Sequence, residues 1–225
     1  MRYFIVIYPF LALISGQFLA DHIGNFVKKK LRLSLIVVFL LFYPLSFATI
    51  YFRPHTRVAA SRWIFENIPP KSVLACEHWD DCLPLSINNC NPGVYEYTQN
   101  LPLFDPDTSQ KWRKLVKLLE KTDYIILSSN RLYGSIPRVP LKYPISAQYY
   151  ESLFNACLGF KKIKEFSSYP CFIVHGLVKL CMMDDFADET FTVYDHPKVI
   201  ILKNEKRLTQ ETMYKIILQN KIFDF

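Results

Sequence analysis

The stretch LSLIVVFLLFYPLSFATIYF, from Leu33 to Phe52, contains no charged residue. Its length of about 20 residues gives a helix of ~30 Å, which matches the hydrocarbon core of a bilayer. A second uncharged run, YFIVIYPFLALISGQFLA from Tyr3 to Ala20, lies just upstream. The two runs predict a transmembrane hairpin over 1–52, with helices at about 3–20 and 33–52 and a cytoplasmic loop at 21–32. The remaining residues, 53–225, are predicted to form a single α/β domain with a mixed sheet.

The charges around the two runs predict their orientation. Four basic residues lie between the runs, at Lys28, Lys29, Lys30 and Arg32. Because short basic loops stay in the cytoplasm, we expect an integral protein of the cell membrane with its α/β domain extracytoplasmic. An N-terminus outside the membrane favours further membrane helices upstream, so the chain is expected to be the C-terminal piece of a larger protein. A cleaved signal peptide is the alternative, because Met1 and Arg2 precede an apolar run that ends at Ala20.

The composition fits one domain outside the membrane. The chain has 27 lysine and arginine residues against 20 aspartate and glutamate residues, a formal charge of +7. Part of this excess lies between the apolar runs and the rest is spread over lysine-rich helix faces, so topology and solvated surfaces account for it. We therefore expect no nucleic-acid partner.

All six cysteines lie in the part that we expect outside the cytoplasm, where disulfides form. They are Cys76, Cys82, Cys90, Cys157, Cys171 and Cys181. The first three lie close together with His78 among them, which leaves zinc open as an alternative. The segment lacks the paired CxxC units of zinc knuckles, so buried thiols or one or two disulfides fit the spacing better.

Helices and strands alternate along the predicted domain. Apolar periodicity predicts helices at 56–70, 108–122, 145–159 and 209–220, and strands at 72–79, 123–129, 160–170, 171–181 and 191–202. Gly159 is expected to cap the third of these helices, and 82–107 to be a long irregular connection of the kind that is often functional. This alternation is typical of an α/β fold.

Three carboxylates, Glu77, Asp80 and Asp81, surround Trp79 in the sequence EHWDD. The segment follows a predicted strand, and α/β folds build their sites in such loops. Carboxylates beside an aromatic ring suit carbohydrate, because the acids accept hydrogen bonds from hydroxyls while the ring stacks on the apolar face of the sugar. We take all four as candidate substrate-facing residues. The alternative is a solvated loop with Trp79 packed in the core.

Asn130 and Arg131 are two further candidate substrate-facing residues. They follow the strand predicted at 123–129 and share an edge with EHWDD if the two strands are parallel. Arg131 then either holds a lipid phosphate through a bidentate contact or forms a structural ion pair with the EHWDD acids.

No residue of the chain is assigned a catalytic role or a role as metal ligand. Asp195 and His196 precede Pro197 in a predicted tight turn between two halves of an apolar strand, where a structural role is favoured. The sequence contains no GxSxG, P-loop or GxGxxG motif. We predict no cofactor, and a divalent metal is left open.

Four segments carry a resemblance to a known family. They are RYFIVIYPFLAL at 2–13, RVAASRWIFENIPPKSVLACEHWDDCLPL at 57–85, DYIILSSNRLYGSIPRVPLKYP at 123–144 and DDFADETFTVYDHPKVIILKN at 184–204. In this order they resemble the extracytoplasmic C-terminal part of prokaryotic glycosyltransferases of the C superfamily. Those relatives depend on polyprenyl-phosphate sugars and are related to protein mannosyltransferases. The resemblance covers nearly the whole chain.

The resemblance implies an activity and a set of partners. Such enzymes have many membrane helices, a lipid-phosphate sugar as donor and a catalytic acidic residue in the first extracytoplasmic loop. The chain would be the C-terminal part of a hexosyltransferase that moves a sugar from a polyprenyl-phosphate carrier to an extracytoplasmic acceptor. Its partners would be membrane lipid, the lipid-linked sugar and upstream membrane helices of the same enzyme. The chain has no room for the first loop, so we expect no catalysis by this piece alone. A non-enzymatic, membrane-anchored interaction module is the alternative.

Overall fold

The computed structural model describes residues 6–22, 26–87, 90–174 and 178–218. The helices are α1 (Tyr8–His22), α2 (Phe26–Ala48), α3 (Thr56–Asn67), α4 (Ser109–Lys121), α5 (Pro144–Phe154), α6 (Glu189–Thr192) and α7 (Gln210–Leu218). The strands are β1 (Val73–Cys76), β2 (Glu96–Tyr97), β3 (Tyr124–Leu127), β4 (Phe160–Phe166), β5 (Cys171–Val174), β6 (Val178–Cys181) and β7 (Val199–Asn204). Short 3-10 turns occur at Thr49–Phe52, Pro92–Val94 and Ile136–Arg138.

The chain divides into two compact units. The N-terminal unit comprises Met1–Phe52 and Tyr169–Met183, and the α/β unit comprises Arg53–Ser168 and Asp184–Phe225. The boundary at Phe52 coincides with the predicted end of the membrane hairpin. The inclusion of Tyr169–Met183 in the N-terminal unit was not predicted, because this segment was assigned to the α/β domain.

One helical segment among the described residues, Lys30–Asn67, is long and apolar enough to cross a membrane. The mean hydropathy of its most apolar window is 2.3 and only 11% of that window is buried. A signal sequence near the N-terminus meets the same criteria of length and hydropathy. The predicted first membrane helix is not confirmed, because the 15 residues of α1 reach only ~22 Å as a helix. The start of that prediction, at 3–5, lies outside the described residues.

The basic cluster lies inside a helix rather than in a loop. α2 begins at Phe26, so Lys28 to Arg32 occupy its first turns and the predicted loop at 21–32 is correspondingly shorter. Positions 23–25 of that loop are outside the described residues. Pro44 lies within α2, and the hydroxyl of Ser46 donates to the carbonyl oxygen of Phe42 over 2.7 Å.

A disulfide-closed hairpin packs against α2 in the N-terminal unit. β5 and β6 pair antiparallel, and Cys171 lies opposite Cys181, to which it is disulfide-bonded. The ring of Phe172 lies 4.7 Å from that of Phe42, and the amide of Cys171 donates to the hydroxyl of Thr49 over 3.1 Å. The single strand predicted at 171–181 is therefore two strands, and its positions 175–177 lie outside the described residues.

The α/β unit is built on a mixed five-stranded sheet in the order β2-β1-β3-β7-β4. β1 pairs parallel with β2 and β3, whereas β7 pairs antiparallel with β3 and β4. This confirms the predicted α/β fold with a mixed sheet. Alternate residues of the central strands face opposite sides of the sheet, as the period of two requires.

Helices cover both faces of the sheet. Tyr124 and Ile126 of β3 pack with residues of α3 in one core cluster. Ile125 and Leu127 belong to the other cluster, together with residues of α4, α5 and α7. The apolar positions on both faces are the reason that the central strands read as continuous apolar runs in the sequence.

A buried ion pair connects α4 and α5. The ammonium of Lys111 donates to Asp107 over 2.9 Å and to the hydroxyl of Ser146 over 2.8 Å. Asp107 also accepts hydrogen bonds from the amides of Ile145 and Ser146, over 2.7 and 3.0 Å, which satisfies free donors at the start of α5. Burial alone would raise the pKa of Asp107, but the hydrogen bonds from Ser146 and Lys111 outweigh it and the pKa is lowered. This pair was not predicted from the sequence.

In the C-terminal part of the chain, two predictions differ from the structure and a third extends beyond the described residues. The strand predicted at 191–202 begins only at Val199, because Asp188 caps the short helix α6 with a hydrogen bond from the amide of Thr190. α5 ends at Phe154, so Gly159 is not its cap, although Gly159 does have a positive φ of 83°. The terminal helix predicted at 209–220 is α7, and positions 219–220 lie outside the described residues, as do 88–89 of the irregular connection.

Candidate functional site

Two loops meet at one edge of the sheet because their strands are parallel. Cys76 at the end of β1 lies opposite Ile126 of β3, so residues 77–81 and 128–131 leave the sheet side by side. The sequence predicts Asn130 and Arg131 at this edge if the two strands are parallel, and β1 and β3 are parallel. We call residues 77–81 the EHWDD loop.

Asp80 is the buried centre of this edge, with a side chain that is 3% exposed. Its carboxylate accepts a hydrogen bond of 2.5 Å from the hydroxyl of Ser129. The guanidinium groups of Arg57 and Arg131 lie 3.6 and 3.9 Å from its other oxygen. Two cations and a hydroxyl therefore compensate the charge of Asp80, as a buried carboxylate requires.

Arg57 was not identified from the sequence, although it connects α3 to both loops. Its guanidinium donates to Asp81 over 2.9 Å and to the backbone oxygen of Ser128 over 3.2 Å. Arg57 lies in the first turn of α3, where a positive charge is unfavourable for the helix dipole. A cation in the first turn of a helix indicates that acids from other elements compensate it, and this signal could have identified Arg57 from the sequence.

Arg131 fixes the backbone of the EHWDD loop. Its guanidinium donates to the carbonyl oxygen of Trp79 over 2.7 Å and to the carboxylate of Glu189 over 3.0 Å. Burial alone would lower the pKa of Arg131, but the hydrogen bond with Glu189 and the charge of Asp80 raise it. Two roles were considered for Arg131, a contact with a lipid phosphate and a structural ion pair. The structure contains ion pairs of Arg131 with Asp80 and Glu189.

Trp79 projects into solvent from this fixed loop. The side chain is 64% exposed, and its ring meets that of His78 edge to face at 5.0 Å. The residue has a φ of 79°, a backbone conformation that costs a non-glycine residue ~1–2 kcal/mol. A disulfide between Cys76 and Cys82 joins the two ends of the loop. Trp79 is therefore not packed in the core, and the loop holds an exposed ring at an energetic cost, which is typical of functional sites.

Glu77 points into the core. It is 1% exposed, and one carboxylate oxygen accepts a hydrogen bond of 2.6 Å from the hydroxyl of Tyr150. Among the described residues, the other oxygen has no hydrogen-bond partner. Burial, partly offset by the Tyr150 hydrogen bond, raises the pKa of Glu77 to about 8, so the carboxyl is mostly protonated at neutral pH.

Asn130 organises the second loop from within. It is 8% exposed, and its side-chain oxygen accepts a hydrogen bond of 3.2 Å from the hydroxyl of Thr192. Its backbone oxygen accepts the amide of Gly134 over 2.8 Å, and a β-carbon at Gly134 would lie 2.5 Å from that oxygen. Only glycine fits this close approach.

The candidate residues therefore separate by exposure. Trp79 and Asp81 are exposed and Arg131 is partly exposed, with a side chain that is 23% accessible. Glu77, Asp80 and Asn130 have buried side chains that support the exposed ones. The outer surface offers an aromatic face, a carboxylate and the edge of a guanidinium, which suits a hydroxyl-rich ligand.

The remaining motifs have structural partners. Cys76 and Cys82 are disulfide-bonded, so the CxHxxxC spacing does not form a zinc knuckle, and Cys90 and Cys157 are exposed free thiols. No group of three metal-type side chains occurs among the described residues. His196 is buried and pairs with Asp184 over 2.7 Å, in a region that is not the predicted turn between strand halves.

No protein-family model, curated protein or solved structure matches this chain.

Proposed function

We propose that the chain takes part in transfer of a sugar from a polyprenyl-phosphate carrier to an extracytoplasmic acceptor, and that the EHWDD loop binds carbohydrate. The observation that carries the proposal is the exposed Trp79, which a disulfide and Arg131 hold in an unfavourable backbone conformation. The stored strain requires a compensating role, and a fixed, exposed aromatic ring beside the carboxylate of Asp81 provides a stacking surface for a pyranose.

The supporting arrangement favours binding over chemistry by this unit. Asp80 pairs with two guanidinium groups and Asp81 with one, so both carboxylates are already engaged in ion pairs within the unit. Glu77 holds its proton in the core, away from solvent. We assign the α/β unit the positioning of donor or acceptor sugar, with the bond-forming step performed by upstream membrane helices of the same enzyme, as the resemblance implies.

The surroundings of the unit support an extracytoplasmic membrane location. Two disulfides, Cys76–Cys82 and Cys171–Cys181, fit an oxidising compartment. Large apolar side chains of α2 are exposed, including Phe39 at 79% and Val38 at 66%. A contiguous apolar surface of this kind is stable when lipid or protein covers it.

Membranes of the source organism provide the test. The chromosomal copy is replaced by variants, and transfer from radiolabelled polyprenyl-phosphate mannose and polyprenyl-phosphate glucose to endogenous acceptor is measured. We expect Trp79→Ala to reduce transfer at least tenfold, because stacking is lost, with unchanged protein level. Tyr97→Ala is the control, since Tyr97 is a partly exposed aromatic on edge strand β2, paired near the opposite end of β1. Equal transfer by the two variants would contradict the proposal.

The competing function is a non-enzymatic interaction module, since an exposed tryptophan is also a common anchor in protein interfaces. Deletion of the whole chain separates the two. Loss of transfer from both labelled donors is expected for a glycosyltransferase component. Unchanged transfer, with loss of a protein that copurifies with the wild type, would identify the interaction module instead.

A further inference from the structure

A second surface of the α/β unit has the character of a binding site. A groove of about 420 Å³ lies between α5 and the loop that follows β3, and we call it the aromatic groove. Its walls include Tyr133, Gln148, Tyr150, Glu151 and Phe154, together with three prolines. The volume is near the lower end of the ~300–1,000 Å³ range of small-molecule sites.

The aromatic side chains form a continuous apolar surface in this groove. The ring of Phe154 meets that of Tyr133 edge to face at 5.4 Å and stacks on that of Tyr150 at 6.4 Å. Phe154 is 45% exposed. Tyr150 is only 1% exposed, and its hydroxyl is held by the buried carboxyl of Glu77, so it supports the ring of Phe154 from within the core. The exposed aromatic surface of the groove therefore belongs to Phe154 and the partly exposed Tyr133.

The polar groups of the groove select the charge of the ligand. Gln148 and Glu151 lie three positions apart on one face of α5, at the rim of the aromatic surface. Glu151 is exposed and has no ion-pair partner among the described residues, and no lysine or arginine lines the groove. The uncompensated negative charge disfavours phosphates and anionic lipids.

We infer that the aromatic groove is a second carbohydrate-binding site, which takes a neutral oligosaccharide. The aromatic rings suit the apolar faces of pyranoses, and the carboxylate and amide accept hydrogen bonds from hydroxyls. A proline-rich peptide is the competing ligand, because such peptides also dock in aromatic grooves. A proline-rich peptide, however, has few N–H groups to donate to the carboxylate of Glu151, whereas a sugar offers several hydroxyls.

The class of ligand rests on the proposed function, whereas the location of the site does not. Two separate sites on one unit would let it hold an extended glycan at two points, with the gain in affinity that two linked contacts give. The EHWDD loop and the groove are joined through the Tyr150–Glu77 hydrogen bond.

Titration of the full chain in lipid nanodiscs tests this inference. The probes are α-1,6-mannotriose, cellotriose and chitotriose, with binding measured by saturation-transfer NMR and calorimetry. We expect at least one trisaccharide to bind, and both Phe154→Ala and Glu151→Gln to weaken it at least fivefold. Glu66→Gln is the matched control, because Glu66 is an exposed glutamate on α3, remote in sequence from the groove. Glu151→Gln removes only a surface charge, so its effect does not depend on a change in folding.

The outcomes separate the groove from the EHWDD loop. Binding that is weakened by the groove variants and unaffected by Trp79→Ala supports the groove and contradicts the role of Trp79. Binding that is abolished by Trp79→Ala and unaffected by both groove variants overturns the groove inference alone. Binding of none of the three trisaccharides, or displacement of a bound one by decaproline from the groove, also overturns it.

Discussion

Tyr150 on α5 donates a hydrogen bond of 2.6 Å to the buried carboxyl of Glu77, two residues before the exposed Trp79. This hydrogen bond connects α5 to the first residue of the EHWDD loop. Because the carboxyl is fully buried, its protonation changes the stability of the fold.

We expect Glu77 to make stability depend on pH. Its pKa is about 8 in the folded chain, against 4.5 for the unperturbed group, so between these values the folded state keeps a proton that the unfolded state releases. The resulting stabilisation is complete below about pH 4.5 and is lost as the pH rises through about 8. Glu77→Gln cannot ionise, so its free energy of unfolding should exceed that of the wild type above pH 8, by on the order of a few kcal/mol.

Thermal unfolding in detergent micelles between pH 5 and 9 measures this difference. Glu66→Gln, at an exposed position on α3, serves as the control and should follow the wild type. Parallel curves for Glu77→Gln and the wild type would show that Glu77 is not buried as described.

Trp79 should tolerate glycine better than alanine. Both variants lose the same exposed ring, but only glycine relieves the positive φ, which costs alanine ~1–2 kcal/mol against ~0.5–1 kcal/mol of extra chain entropy for glycine. Trp79→Gly should therefore be as stable as Trp79→Ala or up to ~1 kcal/mol more stable by urea unfolding. At the exposed helical position Lys117 the order should reverse, with alanine better by ~1 kcal/mol. Alanine better at both positions would contradict the left-handed conformation.

Asp107 should be among the most sensitive positions of the core. Asp107→Ala leaves the buried ammonium of Lys111 without its counter-ion and the first amides of α5 without an acceptor, so we expect a loss of ~3–5 kcal/mol in the free energy of unfolding. The matched control is Asp105→Ala, because the hydrogen bond of Asp105 to Lys111 comes from its backbone oxygen and its exposed carboxylate acts on Lys111 only by charge. This variant should lose less than ~1 kcal/mol. Addition of Lys111→Met to Asp107→Ala should recover part of the loss. Equal stability of the two alanine variants would exclude the network.

The free thiol of Cys157 can report the orientation of the α/β unit. In Cys90→Ser, Cys157 is the exposed free cysteine of the described chain, because the other four form disulfides. An impermeant maleimide should label it on intact cells. The double variant Cys90→Ser, Cys157→Ser should remain unlabelled before and after lysis. Labelling of Cys90→Ser only after lysis would place the unit in the cytoplasm.

The alternation of helices and strands could be predicted because each element carries its own apolar period. Trp112, Leu115 and Leu119 identify α4 from local spacing, and they are buried in the structure. The proximity of the EHWDD loop and Arg131 was predicted on the assumption that β1 and β3 are parallel, which they are. The short helix α6 was missed, because its sequence ETFT has the β-branched and aromatic residues of a strand and only the Asp188 cap decides otherwise.

The missed site residues are those whose partners are far away in sequence. Arg57 reaches Asp80 and Asp81 from a different helix, and Glu189 reaches Arg131 from the segment after β6. No local spacing encodes these pairs, because long-range ion pairs are set by how the elements pack. The same limit applies to Tyr150 and Glu77.

The disulfide between Cys76 and Cys82 makes the conformation of the EHWDD loop depend on oxidation during maturation. Under the proposed extracytoplasmic location, the ring of residues from Cys76 to Cys82 would close only after export, because thiols stay reduced in the cytoplasm. The backbone conformation of Trp79 would then be fixed late in maturation, at the step in which the disulfide forms.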